Sequence, residues 1–445
     1  MNKNLYLTEG NIKSGILKFA IPILVGQLFQ QLYNAADAIV VGNFLGQIAL
    51  GSVASTGSII FLLVGFFGGV STGIGVVISK YFGAGKTESV KKAVGTSICF
   101  GIIASIILTI IGVIATPYIL QLMDTPIELL PDSQKYVKTY FAGVSSLILY
   151  NTACGIFQAI GDSKRPLCYL IISSIINIFL DLFLVGYIGM GVEGAAIATV
   201  ISQSISAILA FNRLFRITEV YKVSLDIIKI DFSILKQMIS IGIPSGFQNS
   251  LIAVGNILVQ SSINSFGATI VAGNGSYTKV EGFMFIPVTA FSMSLTTFVS
   301  QNIGAGKIDR VLKGAKFGII IGCICTQIIG IVFFIYKSNI LSLFGDDFAV
   351  ITAGAHRASI VTLFYILLAY SHCISGVLRG AGRSKTPMFV MISTWCVFRV
   401  VFVEIIISIT NNLSLVYVGY PLSWLVSSIV FAIYYKKINW QNLCK

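Results

Sequence analysis

Charged residues are scarce in this chain: only 11% of its 445 residues are Asp, Glu, Lys or Arg, against about 25% in a typical soluble domain. Hydrophobic residues make up 56% of the chain, and the mean hydropathy is +0.89. A soluble protein of this composition could not cover its surface with polar groups. The sequence therefore predicts that a lipid bilayer is the solvent.

Histidine and paired cysteines are also lacking. The two histidines and eight cysteines show no CxxC pair and no zinc-ligand spacing, so a metal centre and a disulfide framework are not expected. The turn Gly85-Lys86-Thr87 resembles the end of a phosphate-binding loop, but Lys80 stands where that loop needs its first glycine. No Ser-His-Asp or paired-acid set suited to hydrolysis is visible. We expect no enzyme and no cofactor.

Long apolar runs dominate instead, and each is close to the roughly 20 residues that cross a bilayer as a helix. They predict an all-α integral membrane fold with twelve transmembrane helices. The predicted spans are 16–42, 50–78, 93–117, 136–159, 166–189, 192–212, 236–264, 270–300, 314–336, 351–377, 387–409 and 414–435. The first run continues for a full span, so it is interpreted as a retained helix and not a signal peptide.

The net charge of +13 comes from basic residues that cluster in alternate loops. With twelve spans most of them fall on one side of the membrane, and Lys135, Lys138, Lys337 and Arg357 are assigned to the other. The excess of basic residues marks the cytoplasmic side. We expect a multi-pass protein of the plasma membrane with both termini in the cytoplasm, and no nucleic-acid partner.

The two halves of the chain are similar at one constant offset in the numbering. Ser79–Lys92 (SKYFGAGKTESVKK) matches Ser300–Lys313 (SQNIGAGKIDRVLK), and Gly161–Pro166 (GDSKRP) matches Gly382–Pro387 (GRSKTP) at the same offset. An even number of spans per repeat makes the repeats run the same way through the membrane. The prediction is two six-helix lobes related by a pseudo-two-fold axis along the membrane normal. Their predicted bounds are 1–212 and 236–445, with a cytoplasmic linker at 213–235.

Ionisable residues inside membrane spans are costly and mark functional sites. Asp37 lies in the first span, while Asp181 in the fifth follows Asn177 by one helical turn, so the latter two share a helix face. Small residues at 194–198 would bring Thr199 of the sixth span close. This set of hard oxygen ligands suits Na⁺, held chiefly by Asp37 and Asp181. The same carboxyl groups could carry protons instead, and a structural hydrogen-bond network is the alternative.

The repeat confines this oxygen cluster to one half, because Asp37, Asn177 and Asp181 have only apolar counterparts in the second copy. In the second half, Glu281 is predicted to meet a cationic substrate or a proton, or else to pair with Lys279 or Arg399. Structural roles are expected for Arg399 and Glu404. The candidate residues for the wall of a substrate cavity are Tyr33, Asn34, Gln248, Glu281, Phe283, Met284 and Met293.

At these residues the chain resembles the multidrug and toxic compound extrusion (MATE) family. The matching pieces are Asp37, the run 177–199, both GAGK turns and the segment 297–310. The resemblance implies a V-shaped pair of lobes and alternating access driven by Na⁺ or H⁺. It also implies a cation site at Asp37, Asn177, Asp181 and Thr199. Some members have a glutamate early in the seventh span where this chain has Gln248, so a cation site of that kind is not expected in the second lobe.

The function expected is an antiporter that exports amphipathic, cationic organic compounds from a bacterial cytoplasm. Its partners would be those small molecules and the lipid bilayer, and it would act as a monomer with only Na⁺ or H⁺ as the coupling ion. A lipid-precursor flippase of the same superfamily is the first alternative. Its anionic head group needs several basic cavity residues, and only Lys279 and Arg399 are available in the sequence. A membrane enzyme or a channel is the second.

Overall fold

The structure is a computed structural model that describes residues 7–123 and 125–443. Cys444 and the two chain ends lie outside the described residues. Within the described ranges the chain is helical almost throughout and has no strand. The predicted all-α fold is confirmed.

The helices of the first half are α1 (Ile12–Gly83), α2 (Thr87–Leu122), α3 (Leu130–Ala142), α4 (Val144–Ala159), α5 (Lys164–Asp181) and α6 (Gly191–Arg216). Those of the second half are α7 (Phe232–Asn264), α8 (Ala268–Gly304), α9 (Ile308–Leu341), α10 (Phe348–Val361), α11 (Tyr365–Gly380), α12 (Lys385–Met391), α13 (Arg399–Thr410) and α14 (Leu413–Lys437). Two π-helical segments, Leu182–Tyr187 and Ile392–Phe398, continue α5 and join α12 to α13.

Each predicted span coincides with helix. By length and composition, ten helical segments of the described chain can cross a membrane, and α3 with α4, bent by 47°, would make an eleventh. The seventh predicted span is α7, which is 33 residues long but is not among those segments. Its helix carries many amide and hydroxyl side chains, which lower its hydropathy. The twelve predicted spans therefore agree broadly with the observed helices.

Glycines in the left-handed region separate the spans at matching places in both halves. Helix α1 is broken at Gly46, where φ is 82°, and the turn between α7 and α8 contains Gly267 at φ 96°. These two positions are equivalent in the repeat. The GAGK turns match in the same way, with Gly85 at φ 68° and Gly306 at φ 70°. Glycine suits these positions because an L side chain at positive φ is strained.

The repeat extends to the packing inside each half. The Ser71 hydroxyl donates to the Asn151 carbonyl oxygen at 2.8 Å. The hydroxyl of Ser292, its equivalent in the second repeat, donates to the His372 carbonyl oxygen at 2.8 Å. Both bonds join a long helix to the helix that ends in the GDSKRP or GRSKTP turn. The shared sequence motifs thus reflect a shared three-dimensional arrangement within each half.

The chain divides into two compact units. Unit 1 contains Val25–Gly242, and unit 2 contains Leu7–Leu24 together with the chain from Ile243 onward. The bounds fall inside α1 and inside α7, so the first part of each of these helices belongs to the unit formed mainly by the other repeat. This exchange was not predicted from the sequence.

The segment predicted as a linker, residues 213–235, packs on unit 1. Tyr221 and Val223 are 0% and 1% exposed and belong to a hydrophobic cluster with residues of α2 and α4. The Thr96 hydroxyl of α2 accepts from the backbone N–H of Asp231 at 3.0 Å and donates to the Lys229 carbonyl oxygen at 3.3 Å. The segment is held on unit 1 because part of its apolar residues are buried in this cluster and its backbone bonds to Thr96.

The N-terminal segment is held on unit 2 by the second GAGK motif. The guanidinium of Arg310 donates to the carbonyl oxygens of Leu7 (3.1 Å), Glu9 (3.0 Å) and Gly10 (2.9 Å). Asn302 donates a further bond to Leu7, at 3.2 Å. The first copy of the motif has Tyr81 and Ser89 at the corresponding positions, so this clamp is specific to the second repeat.

Arg310→Leu is expected to free this segment. Each hydrogen bond from a charged group contributes about 1.5–3 kcal/mol, so hydrogen exchange of the amides in residues 7–15 should accelerate at least about tenfold. Lys313→Leu is the matched control, because Lys313 is exposed on the same helix. Equal exchange in the two variants would show that the Arg310 contacts do not hold the segment.

Candidate functional site

Two polar residues of α5 are fully buried. Asn177 and Asp181 are both 0% exposed and lie one helical turn apart, on the face that packs against α6. Beyond Asp181 the helix widens into the π-helical segment Leu182–Tyr187, a feature that occurs frequently at functional sites. The structure therefore places this carboxyl group at a local irregularity of a membrane helix.

Asn177 links α5 to α6. With its side-chain nitrogen turned toward Asp181, that nitrogen donates to Asp181 Oδ2 at 2.9 Å, and the amide oxygen accepts from the Thr199 backbone N–H at 3.3 Å. This orientation satisfies both groups of the amide. The Thr199 hydroxyl also accepts a hydrogen bond from the Tyr33 hydroxyl of α1, at 3.4 Å.

Asp37 of α1 completes the cluster. Its carboxyl group interacts electrostatically with the Asp181 carboxyl group. Oδ1 of each aspartate is buried and has no hydrogen-bond partner among the described residues. Two carboxyl groups this close need a shared proton or a cation between them, since two bare negative charges would repel strongly. The oxygen donors present fit Na⁺ as well as a proton.

The structure thus brings Asp37, Asn177, Asp181 and Thr199 together inside unit 1, as the helix spacing and the resemblance suggested. Their role in binding a cation stays a prediction. The part of the chain that the structure describes contains no group of three or more His, Cys, Asp or Glu that could hold a metal ion. The predicted site has only two such residues, and its other donors are an amide and hydroxyl groups.

Two tyrosines beside this cluster were missed in the sequence. Tyr136 and Tyr140 of α3 are 5% and 8% exposed. Tyr136 lies within electrostatic reach of both Asp37 and Asp181. Neither tyrosine carries a charge that would single it out, although their spacing of four residues places them on one helix face. That spacing was the available signal.

Unit 2 contains a cavity of about 210 Å³. It is lined by Ile252, Asn256, Ile257, Gln260, Thr278, Glu281, Phe285, Arg357, Trp395, Arg399, Tyr420 and Trp424. Of the predicted cavity residues, Glu281 is in this lining. Gln248, Phe283, Met284 and Met293 belong to unit 2 but are not in it, and Tyr33 and Asn34 belong to unit 1.

The partner of Glu281 differs from those predicted. Its Oε2 lies 3.4 Å from Nη2 of Arg357. Lys279 instead lies over the ring of Phe344, at 5.8 Å. The loop-charge pattern assigns Arg357 to the non-cytoplasmic loops because it lies near the start of its span, yet it is 2% exposed within α10. The side of the membrane assigned to Arg357 stays a prediction, whereas its burial was not foreseen, because position in a span does not reveal which face of the helix is buried.

The other charged residue predicted to be structural lies elsewhere. Glu404 Oε1 accepts from the Ser262 hydroxyl at 2.7 Å, so Glu404 does not pair with Arg399. Gln248 is 0% exposed and its amide nitrogen lies 2.8 Å from the Met391 sulfur. The seven cysteines within the described ranges are free thiols, in agreement with the expected reduced state.

Comparison with known proteins shows where this arrangement belongs. The MatE family model matches the chain at residues 22–183 and 244–405, once in each half. The probable multidrug resistance protein YoeA of Bacillus subtilis (strain 168) is 29% identical over 435 residues, which are 95% of this chain and 93% of that protein. The probable multidrug resistance protein NorM of Thermotoga maritima is 24% identical over 389 residues, or 86% and 83% of the two chains.

A solved structure has the same fold. It is the outward-facing conformation of a multidrug resistance MATE family transporter of the MOP superfamily, with a TM-score of 0.92 at 21% identity, over 100% of this chain and 99% of that one. The family model covers well over half of the residues. The chain therefore belongs to the MATE family, whose members are membrane transporters and not enzymes.

Proposed function

We propose that this chain is a cation-coupled antiporter that exports amphipathic organic compounds, with Na⁺ or H⁺ entering through the Asp37–Asp181 site. The observation that carries the proposal is the pair of electrostatically interacting carboxyl groups, each with a buried oxygen that has no partner in the described chain. Such a pair changes its charge when it gains or loses one cation. The multidrug resistance relatives support organic compounds as the exported class.

The driving force depends on the charge of the substrate. For a neutral substrate, one cation that moves inward across 100 mV supplies about 2.3 kcal/mol, a hundredfold substrate gradient needs about 2.7 kcal/mol, and a concentration gradient of Na⁺ or H⁺ would supply the difference. For a monovalent cation exchanged one for one the voltage contribution cancels, and the concentration gradient of the coupling ion must drive export. Cationic substrates, as predicted from the sequence, would compete with the coupling ion for the negative charge of unit 1. The proposed setting is the plasma membrane, with both termini in the cytoplasm and the protein acting as a monomer.

The test is transport by the purified protein in liposomes. Vesicles carry an imposed Na⁺ gradient, an imposed H⁺ gradient or none, and efflux of the fluorescent cation ethidium is followed. We expect efflux to depend on one of the two gradients and to stop when that gradient is dissipated by an ionophore. Dye flux that is indifferent to both gradients would contradict coupling. The ion that drives export is identified by the same experiment.

A further inference from the structure

The cavity of unit 2 contains an excess of positive charge. Two arginines line it, Arg357 and Arg399, and each is 2% exposed. Glu281 is the carboxylate in the lining of this cavity, as far as the described residues show. Burying an unpaired charge at this depth in a membrane protein is costly, and such residues mark substrate or ion sites. The question is which of the two arginines lacks a negative partner.

The charge of Arg357 is compensated. Its guanidinium pairs with Glu281 at 3.4 Å and donates to the side-chain oxygen of Asn274. Its central carbon also lies 4.3 Å from the ring centre of Tyr277 and 4.5 Å from that of Tyr420, distances at which a cation is attracted to an aromatic face. Arg357 therefore has a carboxylate, an amide and two aromatic rings as partners.

The direct hydrogen-bond partners of Arg399 are neutral; Glu281 lies within electrostatic reach of it but is in contact with Arg357 instead. Nε donates to the Ser423 hydroxyl at 2.9 Å, and Nη1 donates to the side-chain oxygen of Asn256 at 3.0 Å. Nη2 is buried and has no hydrogen-bond partner in the described part of the chain. The guanidinium carbon lies 4.6 Å from the ring centre of Tyr420. Part of the guanidinium is thus fixed by serine and asparagine, and one nitrogen of this cavity-lining residue has no hydrogen-bond partner in the described chain.

We propose that this cavity binds an organic oxyanion, namely a carboxylate or phosphate group on an apolar body, with Nη2 of Arg399 donating to the oxyanion. A planar guanidinium matches the oxygens of both groups better than any other side chain. Phe285, Trp395 and Trp424 line the same cavity and supply apolar surface for the rest of the molecule. The site is independent of cation coupling in unit 1, and it extends the proposed substrates from cationic to anionic or zwitterionic amphiphiles.

The tryptophans allow binding to be measured without a gradient. The chain has three tryptophans, of which Trp395 and Trp424 line the cavity and Trp440 lies in the C-terminal segment. In a Trp440→Phe background the emission of the full chain in detergent reports on the cavity. Benzyl phosphate, benzyl alcohol and benzylamine share one apolar group and differ in charge. We expect benzyl phosphate to change the emission and to bind at least tenfold more tightly than the other two.

Two substitutions that each remove one positive charge show where the anion binds. Arg399→Gln should weaken benzyl phosphate binding at least tenfold, because the cavity loses its unpaired cation. Lys279→Gln removes the same charge from an exposed residue outside the cavity lining and should leave binding unchanged. Arg399→Lys keeps the charge but loses the planar fork, and we expect an intermediate affinity.

The comparison of the three compounds in the Trp440→Phe protein does not depend on whether the Arg399 variants fold. Benzylamine binding more tightly than benzyl phosphate there would overturn the proposal, and so would equal losses in Arg399→Gln and Lys279→Gln. Nanodiscs distinguish the two sources of a phosphate. If the site is occupied by a lipid head group, anionic phosphatidylglycerol competes with benzyl phosphate, and benzyl phosphate binds more weakly than in discs of pure phosphatidylcholine. Equal binding supports a soluble oxyanion.

Discussion

Asp37→Asn and Asp181→Asn should each reduce gradient-driven ethidium efflux to the level of protein-free liposomes. Asparagine keeps the shape of the side chain and much of its hydrogen bonding, but it carries no negative charge. A Na⁺ or a shared proton then loses a charged ligand, and the interaction of a charged group contributes about 1.5–3 kcal/mol. That range corresponds to a loss of at least about tenfold in ion affinity. Initial rates of efflux under an imposed gradient measure the effect.

Asp226→Asn is the matched control. Asp226 is exposed in the segment between the halves, and a hydrogen bond from Ser224 lowers the pKa of its carboxyl group, so the substitution also removes a full negative charge at neutral pH. We expect normal efflux from this variant. Normal efflux from both site variants would mean that the aspartates form a structural network. Thermal unfolding of each variant separates loss of function from loss of fold.

Gly376→Ala should destabilise unit 2. A Cβ atom at Gly376 would lie 2.3 Å from the Ser292 carbonyl oxygen, which belongs to the backbone of α8 and cannot rotate away. Separating α8 from α11 also stretches the bond from Ser292 to His372. Overpacking of this kind costs about 1–3 kcal/mol, and each kcal/mol lowers Tm by about 2–4 °C in a domain of 150–250 residues. Thermal unfolding in detergent measures the shift.

Gly275→Ala adds the same methyl group to α8 at a place where nothing lies within 4 Å. Alanine is favoured over glycine inside a helix by about 1 kcal/mol, so this variant should unfold at the same or a higher temperature. A Gly376→Ala protein as stable as Gly275→Ala would show that α8 and α11 do not approach as closely as the structure has them.

Much of the fold followed from one-dimensional patterns. The apolar runs predicted spans that each coincide with helix, and the constant offset between the repeats predicted that the GAGK turns are equivalent, as the φ angles of Gly85 and Gly306 bear out. In the cation cluster, a helical spacing of four residues placed Asn177 and Asp181 on one face. These features are local or periodic, so the chain order alone carries them.

The cavity of unit 2 was largely missed. Arg357, Asn256 and Tyr420 lie on three different helices and far apart in the chain, and no spacing rule joins them. Arg399 was identified as a buried charge, but its neutral partners and its unpaired nitrogen depend on how α7, α13 and α14 pack. The rotation of each helix about its own axis decides which side chains meet, and the hydropathy of a span does not reveal this rotation.

The sequence by itself predicted that the chain is a membrane protein, that its two halves repeat, and that Asp37 and Asp181 of the first half have apolar counterparts in the second. Composition and periodicity suffice for this because the cost of burying polar groups in lipid restricts each segment separately. Tertiary structure alone decided that the starts of α1 and α7 pack with the opposite repeat. It also decided that Glu281 contacts Arg357 and leaves Arg399 without a carboxylate in direct contact, because distances between helices settle which charges pair.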